Sequence, residues 1–208
     1  MISATEIVDL HDWLTLAWHQ AQNWSGEAPA TKCDAEWMNL VARQHQANLD
    51  LWHIEDEARA PGASDRELAN VKRRVDTTNQ RRNDLTEELD RTLLSWLGSR
   101  DLPNLDAPLH SESPGLIIDR LSILALKIYH TREEAERTDA PEGHSERNRE
   151  RLGILEEQRS DLAECLDALW RDTLNGTRRF KLYRQLKMYN DPLLNPAIYK
   201  KSSEAPSL

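Results

Sequence analysis

The stretch Gly115-Leu-Ile-Ile-Asp-Arg-Leu-Ser-Ile-Leu-Ala-Leu-Lys-Ile-Tyr-His130 decides the fold. Ser113 stands ready to cap it, and Pro114 occupies the first helical position, where a missing N–H costs nothing. Placed on a helical wheel, the segment is apolar around most of its circumference. Only one arc, about 100° wide, is charged. It holds Asp119, Arg120, Lys127 and His130, with Leu116 and Ile123 among them. A helix this apolar needs other helices around it.

The rest of the chain supplies them. Leu occurs 30 times and Val 4 times among 208 residues, with one Phe. Strands favour β-branched and aromatic side chains, and Leu suits helices, so the composition argues against a β-rich fold. Ser3 with Glu6 is a capping-box pattern that opens a first helix. Asp34 can cap a second, which stops near Pro61-Gly62. Ser64 with Glu67 opens a third that ends near Gly98. A proline-bearing connection leads to the Ser113 helix, and the turn Asp139–Gly143 to a fifth helix over about Ser145–Leu174. A sixth is predicted from Arg178 to about Tyr189. The expected fold is all-α: an antiparallel bundle of four long helices with flanking N-terminal and C-terminal helices. Residues 1–200 read as one domain and 201–208 as a disordered tail.

Composition also excludes functions. Seven Gly form no phosphate-binding loop, and Cys33 and Cys165 are too few for a disulfide framework or a four-thiolate zinc site. The H-E-x-x-H and Glu-x-x-His patterns of zinc proteases and di-iron bundles are absent. The net charge is −9, although Arg178–Lys201 carries seven basic residues against one acid. An acidic body argues against general nucleic-acid binding. No run approaches the roughly 18 apolar residues of a membrane span. The N-terminus lacks the pattern of a signal peptide, so the expected compartment is the cytoplasm, with reduced thiols.

Polar residues interrupt the apolar stripes on three helices. On the second, Gln44, Asn48, Glu55 and Arg59 fall inside the arc of Trp37, Leu40, Val41, Leu51 and Trp52. His45 and Asp56 sit on its shoulder, and His53 falls roughly opposite. On the third, Arg82 lies near the centre of the arc, with Asn79, Asn83 and Asp90 beside it and Glu87 further round. Buried charges must meet one another, a metal or a ligand. The expectation is a polar pocket inside the bundle, binding a small anion such as a phosphorylated sugar or sugar nucleotide.

In this reading Asn48, Arg59, Asn79, Arg82, Asn83, Asp119, Arg120 and Lys127 bind the ligand. Arg184 and Lys187 of the basic tail add a phosphate or carboxylate clamp. Glu55, Asp90 and His130 are the candidate catalytic groups. Magnesium (Mg) would suit the carboxylates Glu55, Asp56, Glu87 and Asp90, for phosphoanhydride hydrolysis. The alternative is a non-catalytic helical interaction module with a protein partner, whose inward charges fix packing register.

Four stretches, LWHIEDEAR (Leu51–Arg59), NQRRND (Asn79–Asp84) with the later Glu87 and Asp90, SESPGLIIDRLSILALKIYH (Ser111–His130) and FKLYRQLKMYNDPLLNP (Phe180–Pro196), occur in this order. Together they resemble the largely bacterial family called domain of unknown function 4254. The resemblance implies an all-helical fold and suggests an association with cell-envelope polysaccharide or glycosyltransferase functions. It brings no activity, cofactor or catalytic residue.

Overall fold

A computed structural model describes residues 2–20, 28–186 and 193–196. Five helices appear: α1 (Ala4–His19), α2 (Ala35–Glu57), α3 (Asp65–Gly98), α4 (Pro114–Glu136) and α5 (His144–Leu174). No strand occurs among the described residues, and no helix there is long and apolar enough to cross a membrane.

The starts follow the predicted chemistry. Ser3, Asp34 and Ser113 each accept from a backbone N–H of the first turn, and Ser64 forms a reciprocal box with Glu67. These caps satisfy donors that a helix end leaves without partners. Helix α4 packs against all four of the others, which explains its nearly uniform apolarity. Ile117, Ile118, Leu121, Leu126 and Ile128 are buried along it. Its N-terminus presses against α3 at Gly115, where a Cβ would lie 2.6 Å from the Thr86 carbonyl oxygen. Helix α1 is tied to α5 by Arg159 on Asp12 at 2.8 Å and by the Asp167 carboxylate on the Ala4 N–H at 2.9 Å.

The predicted sixth helix is not formed over residues 178–186, which run without helical structure. Lys187, Tyr189 and the 201–208 tail lie outside the described residues. The spacing of Phe180 and Tyr183 fits a helix, but the backbone finds other partners. Gly176 turns the chain at φ +69°. The Arg179 N–H then donates to the Pro108 carbonyl at 3.1 Å, and Arg179's own carbonyl accepts from His110 at 2.7 Å. Phe180, 2% exposed, anchors the strap in the core. Burying one ring and pairing with a loop outcompetes a short helix, which is marginal without a packed face.

Candidate metal centre

Two polar regions lie between the helices. The first is the seam that the wheel positions anticipate. Asp119 of α4 receives Arg82 of α3 in a two-point contact, Nε on Oδ1 at 2.7 Å and Nη2 on Oδ2. Gln44 and Asn48 of α2 donate to the same Oδ1. Donation to Asp119 pushes the Arg82 pKa up.

A chain of hydrogen bonds continues inward, and its directions are fixed. Asn48 Nδ2 has a second hydrogen, which goes to Ser122 Oγ at 2.9 Å. Ser122 Oγ lies 2.8 Å from His45 Nδ1, and His45 Nε2 lies 3.0 Å from Thr15 Oγ1. Thr15 spends its own hydrogen on the His11 carbonyl at 2.8 Å. It must therefore accept from His45 Nε2, which leaves His45 Nδ1 to accept from Ser122. His45 is neutral with its proton on Nε2. Burial agrees, pushing its pKa down to about 3. His11 stacks on His45 with centroids 4.6 Å apart. It is fully buried, and burial first, then His45 and Arg159, hold its pKa well below the usual histidine range.

The seam opens on a cleft of about 480 Å³ lined by Asn48, Trp52, Glu55, Asp56, Arg59 and Arg82, among others. Five of the expected site residues thus share one cavity, with Asp119 behind Arg82. The charges are matched internally. Arg59 pairs with Asp56 at 3.2 Å and Glu55 at 3.6 Å, largely in solvent.

The remaining expected residues go elsewhere. Asp90 is buried, accepting from Ser113 Oγ and, at 2.7 Å, from the Gly115 N–H. It brackets α3 to the start of α4, and burial pushes its pKa up to about 6. Glu87 holds the Gln185 N–H at 2.8 Å. Arg120 grips Glu112 at 2.8 Å and lies with Lys127 in the groove between α4 and α5. Asn79 and Asn83 are half-buried on α3, and Arg184 is exposed. Among the described residues, the proposed magnesium ligands Glu55, Asp56, Glu87 and Asp90 form no cluster able to hold an ion.

The second region does form one. His19 ends α1, His53 lies near the end of α2 and His130 sits in the last third of α4. One ligand nitrogen from each falls within 4.8 Å of the other two. His19 Nδ1 lies 2.8 Å from the Thr15 carbonyl, an acceptor only, so this nitrogen carries the hydrogen. His130 Nδ1 lies 2.8 Å from Glu133 Oε2 and donates likewise. Neutral His19 and His130 therefore present lone pairs at Nε2. The Nε2 atoms of His19, His53 and His130 are all buried, and none has a hydrogen-bond partner among the described residues.

Aromatic rings fix the imidazole planes. Trp18 stacks on His53 at 3.9 Å, Tyr129 on His19 at 4.2 Å and Trp52 on His130 at 4.8 Å. His53, which the wheel places opposite the core arc of α2, thereby meets α1. Burial lowers its pKa, and His19 and His130 add like-charge opposition, so the proton is disfavoured while the lone pair is kept.

The surroundings favour a cation. The carbonyl end of α1 carries the negative pole of its dipole at His19. Asp50 and Asp56 exert an opposing pull on His53. Three imidazoles are the donor set of catalytic zinc, with bonds of about 2.0–2.1 Å and a fourth position open. Tetrahedral geometry would bring the nitrogens to about 3.4 Å apart, inside the 4.8 Å within which they now lie.

Of these three, the sequence reading included only His130. The residues lie far apart and match no metal motif. One signal was present: each follows an aromatic residue, Trp18-His19, Trp52-His53 and Tyr129-His130.

The family described as protein of unknown function (DUF4254) matches residues 38–182, more than half of the chain. No curated protein matches the sequence. No solved structure matches it either.

Proposed function

The chain belongs to the DUF4254 family, and we propose that it is a transition-metal protein whose ion is held by His19, His53 and His130. One observation carries this reading: three histidines on three helices each bring a ring nitrogen within 4.8 Å of the other two, and the Nε2 of each is buried with no hydrogen-bond partner among the described residues. Buried ring nitrogens without partners are uncommon, and a shared cation would satisfy all three together. Imidazole donors suit zinc and its borderline neighbours better than magnesium, which prefers oxygen.

An open fourth position gives such an ion catalytic use. Held by His19, His53 and His130, such an ion would supply an activated water for hydrolysis of a carbonyl or phosphoryl substrate. The substrates to screen are phosphorylated sugars and sugar nucleotides, in keeping with a role inside the cell in envelope glycan metabolism. The cleft of Asn48, Glu55, Arg59 and Arg82 is the candidate site for their polar part.

The test uses protein made without a histidine tag. Elemental analysis is expected to find about one zinc per chain, lost in a His19→Ala/His53→Ala/His130→Ala variant. Zinc at 100 times its Kd should stabilise wild type by about 2.7 kcal/mol and the variant not at all. If zinc, cobalt and nickel all leave the melting curve unchanged and none is retained, the reading fails. A second reading, a non-catalytic interaction module, is favoured by the internal matching of Arg82 by Asp119. It predicts a metal-free protein with no turnover of any sugar nucleotide.

A further inference from the structure

We propose that Glu133 is the positioning residue that sets the affinity of the three-histidine centre. The inference rests on the metal reading and adds a residue to it. Glu133 lies one helical turn after His130, so both project from one face of α4. Its Oε2 accepts from His130 Nδ1 at 2.8 Å. Tyr129, the residue before His130, stacks on His19. One carboxylate thus touches one ligand directly.

The chemistry follows from that placement. A carboxylate on Nδ1 commits the proton there and turns Nε2 into the donor. It also draws the imidazole toward imidazolate, which strengthens its bond to a metal, and adds a negative charge beside the ion. The three ligands differ in this respect. His19 has a neutral carbonyl on Nδ1, while His130 has a charge. His130 is therefore a stronger donor than His19, and Glu133 is what makes it so. An exposed i,i+3 pair on a helix surface is usually incidental. Here the far side of the same ring carries a buried Nε2 without a partner, which makes the pair part of the centre.

The experiment compares wild type with Glu133→Gln and Glu133→Ala, purified untagged and stripped of metal. Zinc affinity is measured by competition with a chelating dye, and the cobalt form by its visible absorption. Glu134, paired with Arg137 and His144, provides the control Glu134→Gln. Glu133→Ala should weaken zinc about 10–100-fold. Glu133→Gln, which keeps an acceptor and loses the charge, should fall between. Both should alter the cobalt spectrum, while the control binds as wild type. Equal affinities and unchanged spectra in a wild type that does bind would overturn the role of Glu133 alone. A wild type that binds neither metal would overturn the metal reading and this inference with it. The half-exposed Glu133 side chain lets the Gln variant keep the apo fold, which circular dichroism checks.

Discussion

The two polar regions share α2 and α4 and differ in closure. Around Asp119 a continuous chain of hydrogen bonds runs from Arg82 through Asn48, Ser122 and His45 to Thr15, and at its edges Gln44 Oε1 and both His11 nitrogens have no partner among the described residues. Around His53 three nitrogens have none. A satisfied network holds helices in register. An unsatisfied one has capacity for something the chain does not supply. Burial of polar groups marks both regions, and what separates them is the convergence of three imidazoles within 4.8 Å around His53.

The largest expected effect breaks the closed region. Asp119→Ala leaves Arg82, Gln44 and Asn48 without their common acceptor. It should cost about 3 kcal/mol, near the lower end for a broken buried pair because Arg82 keeps some water contact. Urea denaturation measures it. A paired Arg82→Met/Asp119→Leu replacement should recover much of the loss, since removing both charges also removes their desolvation cost. Zinc binding should survive in that double variant, because none of the three histidines touches Arg82 or Asp119 in the described contacts. If metal affinity collapses with it, the two regions are one site.

Acidification sharpens the comparison at the next level. His11 and His45 have folded pKa values below the unfolded value near 6.5. Their contribution is complete above pH 6.5 and is lost as pH falls, because the unfolded chain takes protons that the core refuses. Each subtracts about 1.4 kcal/mol per pH unit within that window. Asp90 acts oppositely: with its pKa raised to about 6, its contribution is present below its unfolded value and lost as pH rises through 6. On the way down from pH 6 to 4 it offsets one histidine. Asp12, whose carboxyl is also pushed up by burial, opposes the histidines in the same sense as Asp90, so metal-free protein should lose about 1.4 kcal/mol per unit or less before His53 is counted. His53, shifted in the same direction, adds to the loss. Asp90→Asn should steepen the slope toward about 2.7 kcal/mol per unit. Denaturation midpoints across this range that do not move would show His11 and His45 to be protonated in the fold.

The fold was legible where single residues decide it. Ser3, Ser64 with Glu67, and Ser113 with Pro114 each fix a helix start by a local hydrogen bond. The C-terminal helix misled because Phe180 and Tyr183 have helical spacing, while the competing bonds come from Pro108 and His110, distant in sequence. The seam was legible for a similar reason. Gln44, Asn48, Arg82 and Asp119 fall on arcs facing a common core, so one wheel per helix suffices. His53 does not. Its face is core or surface according to whether α1 covers it, and nothing local to α2 encodes that. Asp90 was visible as a buried acid. Its use as a bracket depends on how closely Gly115 lets α4 approach.

The smallest effect concerns the rim of the cleft. Arg59 lies largely in solvent in the turn after α2, with Glu55 and Asp56 of that helix as neighbours. Such pairs gain little, because water screens the attraction and long side chains lose freedom to hold it. Arg59→Ala should therefore change stability by no more than about 0.5 kcal/mol in urea. Its value lies in what else it moves. In the ligand reading, Arg59 is the cation of the cleft best placed to reach an incoming phosphate, since Arg82 already spends two donors on Asp119. The variant should then weaken binding of a sugar nucleotide to zinc-loaded protein while leaving zinc affinity alone. If nucleotide binding is unaffected by Arg59→Ala, the cleft is only the outer end of the closed network, and any substrate meets the histidine centre from another side.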